Sequence, residues 1–406
     1  MRADAVGYGT GCGNLSCPVR LALFTDTLGD VNGVSRFVTS LAGAASRHGE
    51  SLHVFSSTRF PVPTGDQFRN HPPLVAGRMP GYGHLELTFP PWRAMLSDVH
   101  EWSPDAIHVS TPGPVGFVGR WAARRLGVPL LGTYHTDFAA YAERLFDDAV
   151  LGEAANGCLR WFYSAFDAVL TRSDQYRSVV ARAGIAPERT HTLRPGINLS
   201  AFHPAHRNQN VWPSLGLDNP GVVVLSCGRV SVEKDLPMLA HAWRLTDQAL
   251  RRDSVRATLV VVGDGPYLPQ MRAELQGTRT AFLGFRHGPE LSAIYASSDL
   301  LAFPSRTDTL GQVVMEAQAS GVPALVSPVG GPQSLIRDGT TGVVVRSTQN
   351  IAARTLAWSE AIQQLVRSEN VRHRMGLAAH KHLSAFDFDA SSSQFWEIHR
   401  SVLARA

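Results

Sequence analysis

The stretch PSRTDTLGQVVMEAQASGVP, residues 304–323, decides the reading of this chain. It sets Asp308 eight positions before Glu316, with Thr309-Leu310-Gly311 between them. Val313, Val314 and Ala317 then recur at helical spacing, which predicts a helix over 311–320. The apolar run Leu300-Leu301-Ala302-Phe303 just upstream reads as a strand. A strand that ends in a short loop and opens a helix is where parallel α/β proteins hold phosphorylated ligands, because free backbone N–H groups there attract an anion. Two carboxylates flanking such a point can grip hydroxyls on either side of a diphosphate, the pattern of a nucleotide-sugar site. Two acids eight apart also arise by chance; their placement at a strand end carries the weight.

Outward from that element, the second half of the chain alternates strand and helix signals. Strands are predicted over 222–226, 258–262, 280–283, 299–303, 323–327 and 342–344. Helices are predicted over 236–245, 266–275, 290–296 and 311–320. The first half repeats the texture, with strands over 20–24, 51–55, 106–109, 129–133 and 168–171 and helices over 34–47 and 115–126. Such alternation argues for parallel sheets with crossover helices. Residues 59–91 are rich in Pro and Gly and read as an irregular excursion. The turn-rich 192–212 reads as a hinge. The expected division is a disordered leader over 1–18, a first Rossmann-like domain over 19–205, a second over 206–385, which the resemblance described below makes the acceptor-side and the donor-binding domain, and a C-terminal helix from 386 to 406 that returns to the first domain. In that last segment Phe395, Trp396, Ile398 and Val402 share one helical face.

Composition bounds the function. With 406 residues, 44% hydrophobic and 18% charged, the chain has material for two globular domains. A formal charge of +4 suits anionic ligands or an anionic surface, and no basic run supports a nucleic-acid partner. The longest apolar runs are strand-sized, well short of the ~18–20 residues of a membrane span. Cys12, Cys17, Cys158 and Cys227 lack metal-site spacing and read as free thiols in a reducing cytosol. The Gly-rich first 18 residues lack the apolar core of a secretory signal. Asp387-Phe388-Asp389 precedes the last helix, away from any strand-end loop, and reads as a solvent-facing cap with no metal role.

Three further clusters follow strands. Gly228-Arg229 with Lys234 offers a cation fork and a mobile ammonium suited to a diphosphate. Val262-Gly263-Asp264-Gly265-Pro266 permits a tight turn, and Leu283-Gly284-Phe285-Arg286 offers backbone to a nucleobase. Taken singly, the first is also read as solvated surface cations and the other two as plain turns.

In combination they are specific. GRVSVEKDL (228–236), VVGDGP (261–266) and the run from Leu283 to Val345 that contains the opening stretch resemble the donor domain of retaining glycosyltransferases of family 4, which have the GT-B fold. DTLGDVNGVSRFVTSLA (26–42), STPGPVGF (110–117), GTYHTDFAAY (132–141) and LRPGINLSAFHP (193–204) resemble the family's first half more loosely. NGVSR and YHTDF look most like the branch that glycosylates diacylglycerol-type lipids, including mannosyl- and sulfoquinovosyl-transferases.

The resemblance implies an α/β protein of two Rossmann-like domains facing across a cleft. It implies that Gly228, Arg229 and Lys234 meet the diphosphate, that Glu316 binds ribose hydroxyls and that Asp308 reaches a hydroxyl of the donor sugar. The family usually has Glu at that last position. Backbone at Thr309, Leu310 and Gly311 would face phosphate and sugar, Phe285 and Arg286 the base. Gly33 would let the other domain's backbone approach the phosphate. His135 and Asp137 would line the acceptor side, with His135 near the sugar. Transfer of a hexosyl group with retention is implied, without resident cofactor or metal, from GDP-mannose or a UDP-hexose. The implied acceptor is a lipid or glycan hydroxyl. Alternatives are a polysaccharide- or glycoside-forming relative and a non-catalytic nucleotide-binding protein. The expected location is cytoplasmic, with peripheral contact at the inner face of the cell membrane as an alternative to a fully solvated surface. Trp121, Arg124, Arg125, Arg36 and Arg47, with Phe138, Tyr141 and Arg144, supply an aromatic and basic face that reads equally as membrane contact or as an ordinary solvated surface.

Overall fold

A computed structural model describes residues 18–30, 32–79, 82–135, 157–182, 184–347 and 350–405, without side-chain surroundings for 78–87. Two parallel sheets organise them. The first runs β3-β2-β1-β6-β7-β8-β9, with β1 at Arg20–Phe24, β2 at Ser51–Ser56, β3 at Phe68–Asn70, β6 at Ala106–Val109, β7 at Leu130–Tyr134, β8 at Ala168–Thr171 and β9 at Thr190–Thr192. The second runs β12-β11-β10-β13-β14-β15, with β10 at Val222–Cys227, β11 at Ala257–Val262, β12 at Thr280–Gly284, β13 at Leu300–Phe303, β14 at Ala324–Val326 and β15 at Gly342–Val344. Strands β6, β7, β8, β11 and β13 are buried at every position, as expected when helices cover both faces of a parallel sheet.

The strand order fixes where a ligand can sit. In the first sheet the chain moves outward from β1 and then restarts at β6 on the other side of β1. In the second it moves outward from β10 and restarts at β13. Each reversal leaves a crevice at the carboxyl ends of the central strands. The loops after β1, β10 and β13 open onto those crevices.

Helix α1, Gly33–Ala45, follows β1 and is capped by Asn32, whose Oδ1 accepts from Ser35 N at 2.9 Å. Helices α2, Trp92–Trp102, and α3, Pro114–Leu126, pack on the other face. The C-terminal helix Phe388–Leu403 crosses back to the first sheet. Its Phe395 and Trp396 share a buried cluster with Leu21, Val38 and Leu41. His399 Nε2 lies 3.0 Å from His108 Nδ1 in β6, and His108 Nε2 lies 2.9 Å from Thr133 Oγ1 in β7. Arg400 pairs with Glu50, and Arg47 with Asp389 at 2.7 Å.

Three expectations need correction. The excursion over 59–91 contains ladder structure: β3 joins the first sheet, and β4, Val75–Met79, pairs antiparallel with β5, Tyr82–Phe89. Its Pro and Gly residues hide the short strands between them. Asp387 precedes the last helix but makes no side-chain capping bond; Asp389 binds Arg47 instead. The first helix ends at Ala45, with residues 46–48 tightening into a 3-10 turn that Gly49 closes at φ 69°. Helices Ile351–Arg367 and Glu369–Leu383 are not marked in the sequence reading; their buried residues Trp358, Ile362, Leu365, Val366 and Met375 join the core of the second sheet.

Candidate active site

A cleft of about 610 Å³ lies between the two domains and gathers the residues singled out by sequence. Gly33 and His135 line it from the first domain. Gly228, Arg229, Lys234, Phe285 and Arg286 line it from the second, together with Asp308, Thr309, Leu310, Gly311 and Glu316. Asp137 lies outside the described residues, as do Phe138, Tyr141 and Arg144.

The opening stretch folds as its pattern requires. The helix Gln312–Ala319 starts at Gly311, whose φ of 85° is left-handed. A Cβ there would meet Pro332 Cγ at 2.8 Å, so glycine is needed for both backbone and space. Gly331 N donates to Asp308 O at 2.7 Å and locks the loop over the 331–335 turn. The loop after β10 is set by its neighbour: a Cβ on Gly263 would lie 1.9 Å from Gly228 O, and one on Gly265 2.4 Å from Val230 O. The VGDGP turn is therefore more than a plain turn. Its glycines let it pack against the loop that carries Arg229.

Charges in the cleft are arranged in pairs. Lys234 Nζ donates to both carboxylate oxygens of Asp308, at 2.7 and 2.8 Å. Glu316 is 1% exposed, and its Oε1 accepts from Arg36 Nη1 at 2.5 Å. Burial raises the Glu316 carboxyl above its ordinary range, against the pull of Arg36 and the nearby Tyr295 hydroxyl. Its Oε2 is buried without a hydrogen bond of good geometry. Burial first, and the Glu316 charge second, push the adjacent Cys227 thiol up to about 12, so it stays protonated. Arg229 makes no hydrogen bond or ion pair with another described residue.

The two domains meet closely. Thr309 Oγ1 donates to the His135 carbonyl at 2.5 Å. A Cβ on Gly33 would come within 3.3 Å of Gln312 Oε1, so the first turns of α1 and of the Gln312–Ala319 helix face each other. Burial, with the Arg172 charge second, holds the His135 ring well below the usual imidazole range. Its Nε2 is shielded from solvent and has no hydrogen-bond partner among the described residues. A neutral imidazole there can hydrogen-bond a sugar hydroxyl without adding charge. Phe285, 51% exposed, stands at the rim beside Arg286, whose Nε is 3.1 Å from Glu290 Oε1. Arg36 and Arg172 are the cleft residues that sequence reasoning missed. The first had been grouped with surface cations; the second sits in an unremarkable strand end. Among the described residues no cluster of three His, Cys, Asp or Glu side chains could hold a metal ion.

A cleft between two parallel-sheet domains, with cations, a helix N-terminus and a buried carboxylate on one wall, defines a nucleotide-sugar transferase of the GT-B class. A family model described as Glycosyltransferase Family 4 matches residues 31–201, and one described as Glycosyl transferases group 1 matches 221–367. The GDP-mannose-dependent alpha-mannosyltransferase of Mycobacterium tuberculosis is 32% identical over 81% of this chain and 84% of its own length. The alpha-monoglucosyldiacylglycerol synthase of Streptococcus pneumoniae is 25% identical over 83% of this chain and 78% of its own. Among solved structures, Anabaena HepE in complex with UDP and glucose superposes with a TM-score of 0.73, at 17% identity, over 94% of this chain and all of its own. The chain belongs to glycosyltransferase family 4 and is an enzyme of the GT-B fold. No helix among the described residues is long and apolar enough to cross a membrane.

Proposed function

We propose that the protein is a retaining, metal-independent hexosyltransferase that uses a nucleoside diphosphate sugar, GDP-mannose first among the candidates, and glycosylates a diacylglycerol-type lipid or glycolipid. The observation that carries this reading is the donor wall: Arg229, Lys234 and the helix that begins after Gly311 converge on one cleft with Glu316 beneath them. The lipid acceptor draws on the similarity to a monoglucosyldiacylglycerol synthase, and the guanine donor on the similarity to a GDP-mannose enzyme.

Chemically, the C–O bond between the sugar and the diphosphate breaks while the acceptor oxygen adds on the same face. Negative charge grows on the leaving phosphate. Arg229, Lys234 and the helix N-terminus are placed to stabilise it in a water-poor cleft. Removing one such donor costs about 3–4 kcal/mol in the transition state of comparable sites. The leaving phosphate takes the acceptor proton as the new bond forms. Asp308 orients a sugar hydroxyl, and donor entry redirects Lys234 from Asp308 to the diphosphate. Glu316 holds ribose through Oε2, the oxygen that Arg36 leaves free. The test is a thermal-shift screen of GDP- and UDP-sugars in EDTA, followed by transfer to diacylglycerol lipids in vesicles with anomeric assignment of the product. Stabilisation by one nucleotide and an α-linked glycolipid support the reading. No shift with any GDP or UDP ligand sinks it.

A further inference from the structure

Arg172 follows β8, two strands from β6 and next to β7, and is 5% exposed. It lines the cleft, and its Nη1 is shielded from solvent without a hydrogen-bond partner among the described residues. No carboxylate of the described residues pairs with it. Its Cζ lies 4.2 Å from the ring centre of Phe37. A buried guanidinium without an anion is costly, because a π-face returns about 0.5–2 kcal/mol against a desolvation penalty of several kcal/mol. Burial accordingly lowers its pKa, to about 10, which still leaves it charged at neutral pH.

Other cleft cations are already matched. Lys234 is held by Asp308, Arg36 by Glu316 and Arg286 by Glu290. Arg229 and Arg172 have no charged partner among the described residues, and they stand on opposite domains. Phe37 lies one turn beyond Gly33, and Gly33 faces Gln312 at the start of the opposing helix. The Arg172 guanidinium thus sits one turn into α1, near the point where two helix N-termini approach one another. His135, 5.5 Å from Phe37 between ring centres, borders the same spot.

We propose that Arg172 is a leaving-group residue: its guanidinium binds the sugar-linked phosphate of the donor from the acceptor-side domain, so that the diphosphate is clamped between Arg229 and Arg172. This rests on the nucleotide-sugar reading above. Without donor, no described carboxylate compensates the Arg172 charge. With donor, it gains charge-assisted hydrogen bonds and ties the two domains together across the breaking bond. Among the described residues no carboxylate neutralises it, so the charge faces the cleft where negative charge develops.

The test pairs stability with affinity in wild type, Arg172→Met and Arg172→Lys. Calorimetric titration uses UDP, GDP, UMP and GMP, and the ligand-free proteins are melted. R172M should melt at or above the wild-type temperature, since a buried unpaired charge has been removed. Its affinity for the diphosphate should fall about tenfold or more. Affinity for the matching monophosphate should change by less than about threefold, as its phosphate lies on the nucleoside side. R172K should recover part of the loss. A lowered melting temperature with equal losses for mono- and diphosphate would mean a structural role and overturn the proposal. So would unchanged diphosphate affinity, or an effect confined to the KM of the acceptor, which would assign Arg172 to an anionic group there. A wild type that binds neither UDP nor GDP overturns the nucleotide-sugar reading itself, and this inference with it.

Discussion

Arg36 Nη1 lies 2.5 Å from Glu316 Oε1, joining the first helix of one domain to the buried carboxylate of the other. The two sides of the pair are unequally exposed: the Glu316 side chain 1%, that of Arg36 39%. Removing the partner of a buried charge is costly, while removing the buried charge and leaving a half-exposed guanidinium is cheap. Arg36→Met should therefore destabilise the protein by about 1–3 kcal/mol, between the values for exposed and fully buried pairs. Glu316→Gln should cost less stability but weaken nucleoside diphosphate binding about tenfold or more if Glu316 holds ribose. Urea denaturation and calorimetry on both variants separate the roles. Equal stability losses with unchanged nucleotide affinity would contradict the assignment.

Lys234 and Asp308 make the second pair, each side chain 24% exposed. Partial solvation limits its worth to stability, so Lys234→Met should melt within a few degrees of wild type. Turnover should fall about 100- to 1,000-fold, as for loss of a transition-state donor. Asp308→Glu lengthens the carboxylate by one methylene and should change the preference between hexoses sharing one nucleotide, read as a ratio of kcat/KM values. An unaltered ratio would remove Asp308 from sugar recognition.

Gly311 holds φ at 85° with Pro332 against its α-carbon. Gly311→Ala should cost about 1–2 kcal/mol for the left-handed backbone, and more if Pro332 cannot move. Because the loop carries Asp308 and Thr309, kcat should fall further than the melting temperature suggests. Circular dichroism melts and initial rates measure both.

The His108–His399 contact gives the fold a pH dependence. Burial lowers His399 to about 4 and His108 well below its ordinary range, so both are neutral when folded. Unfolded imidazoles titrate near ~6.5, so the unfolded chain binds more protons below that pH. Stability is fully present above pH ~6.5 and is lost as pH falls toward 4, by up to about 1.4 kcal/mol per pH unit for each histidine. The C-terminal helix should detach first, because His399 is its polar tie to β6. Hydrogen exchange of residues 388–403 between pH 7 and 5 reads this directly; a flat profile would refute it. His399→Leu should flatten the dependence.

The donor half was legible because its signals are local. Gly228, Arg229, Lys234 and Glu316 follow strands in sequence, and the sheet order carries that sequence order into one cleft. Arg36 and Arg172 were not legible, since their meaning depends on contacts made across the domain boundary or between distant strands. Arg36 meets a residue 280 positions away, and nothing in NGVSR marks it. The strands β3 to β5 were missed for a different reason. The edge strand β3 has only three residues, and glycines at 77 and 83 interrupt the sequence pattern of the β4–β5 pair.

Nucleotide binding in the cleft is the step on which the proposed transfer depends. Isothermal calorimetry of wild type with GDP and UDP in EDTA, repeated for Arg229→Ala, measures it. The prediction is metal-independent binding of at least one nucleotide, weakened about tenfold or more in R229A. Binding that requires a divalent cation, or that R229A leaves intact, would contradict the claim that protein cations hold the diphosphate.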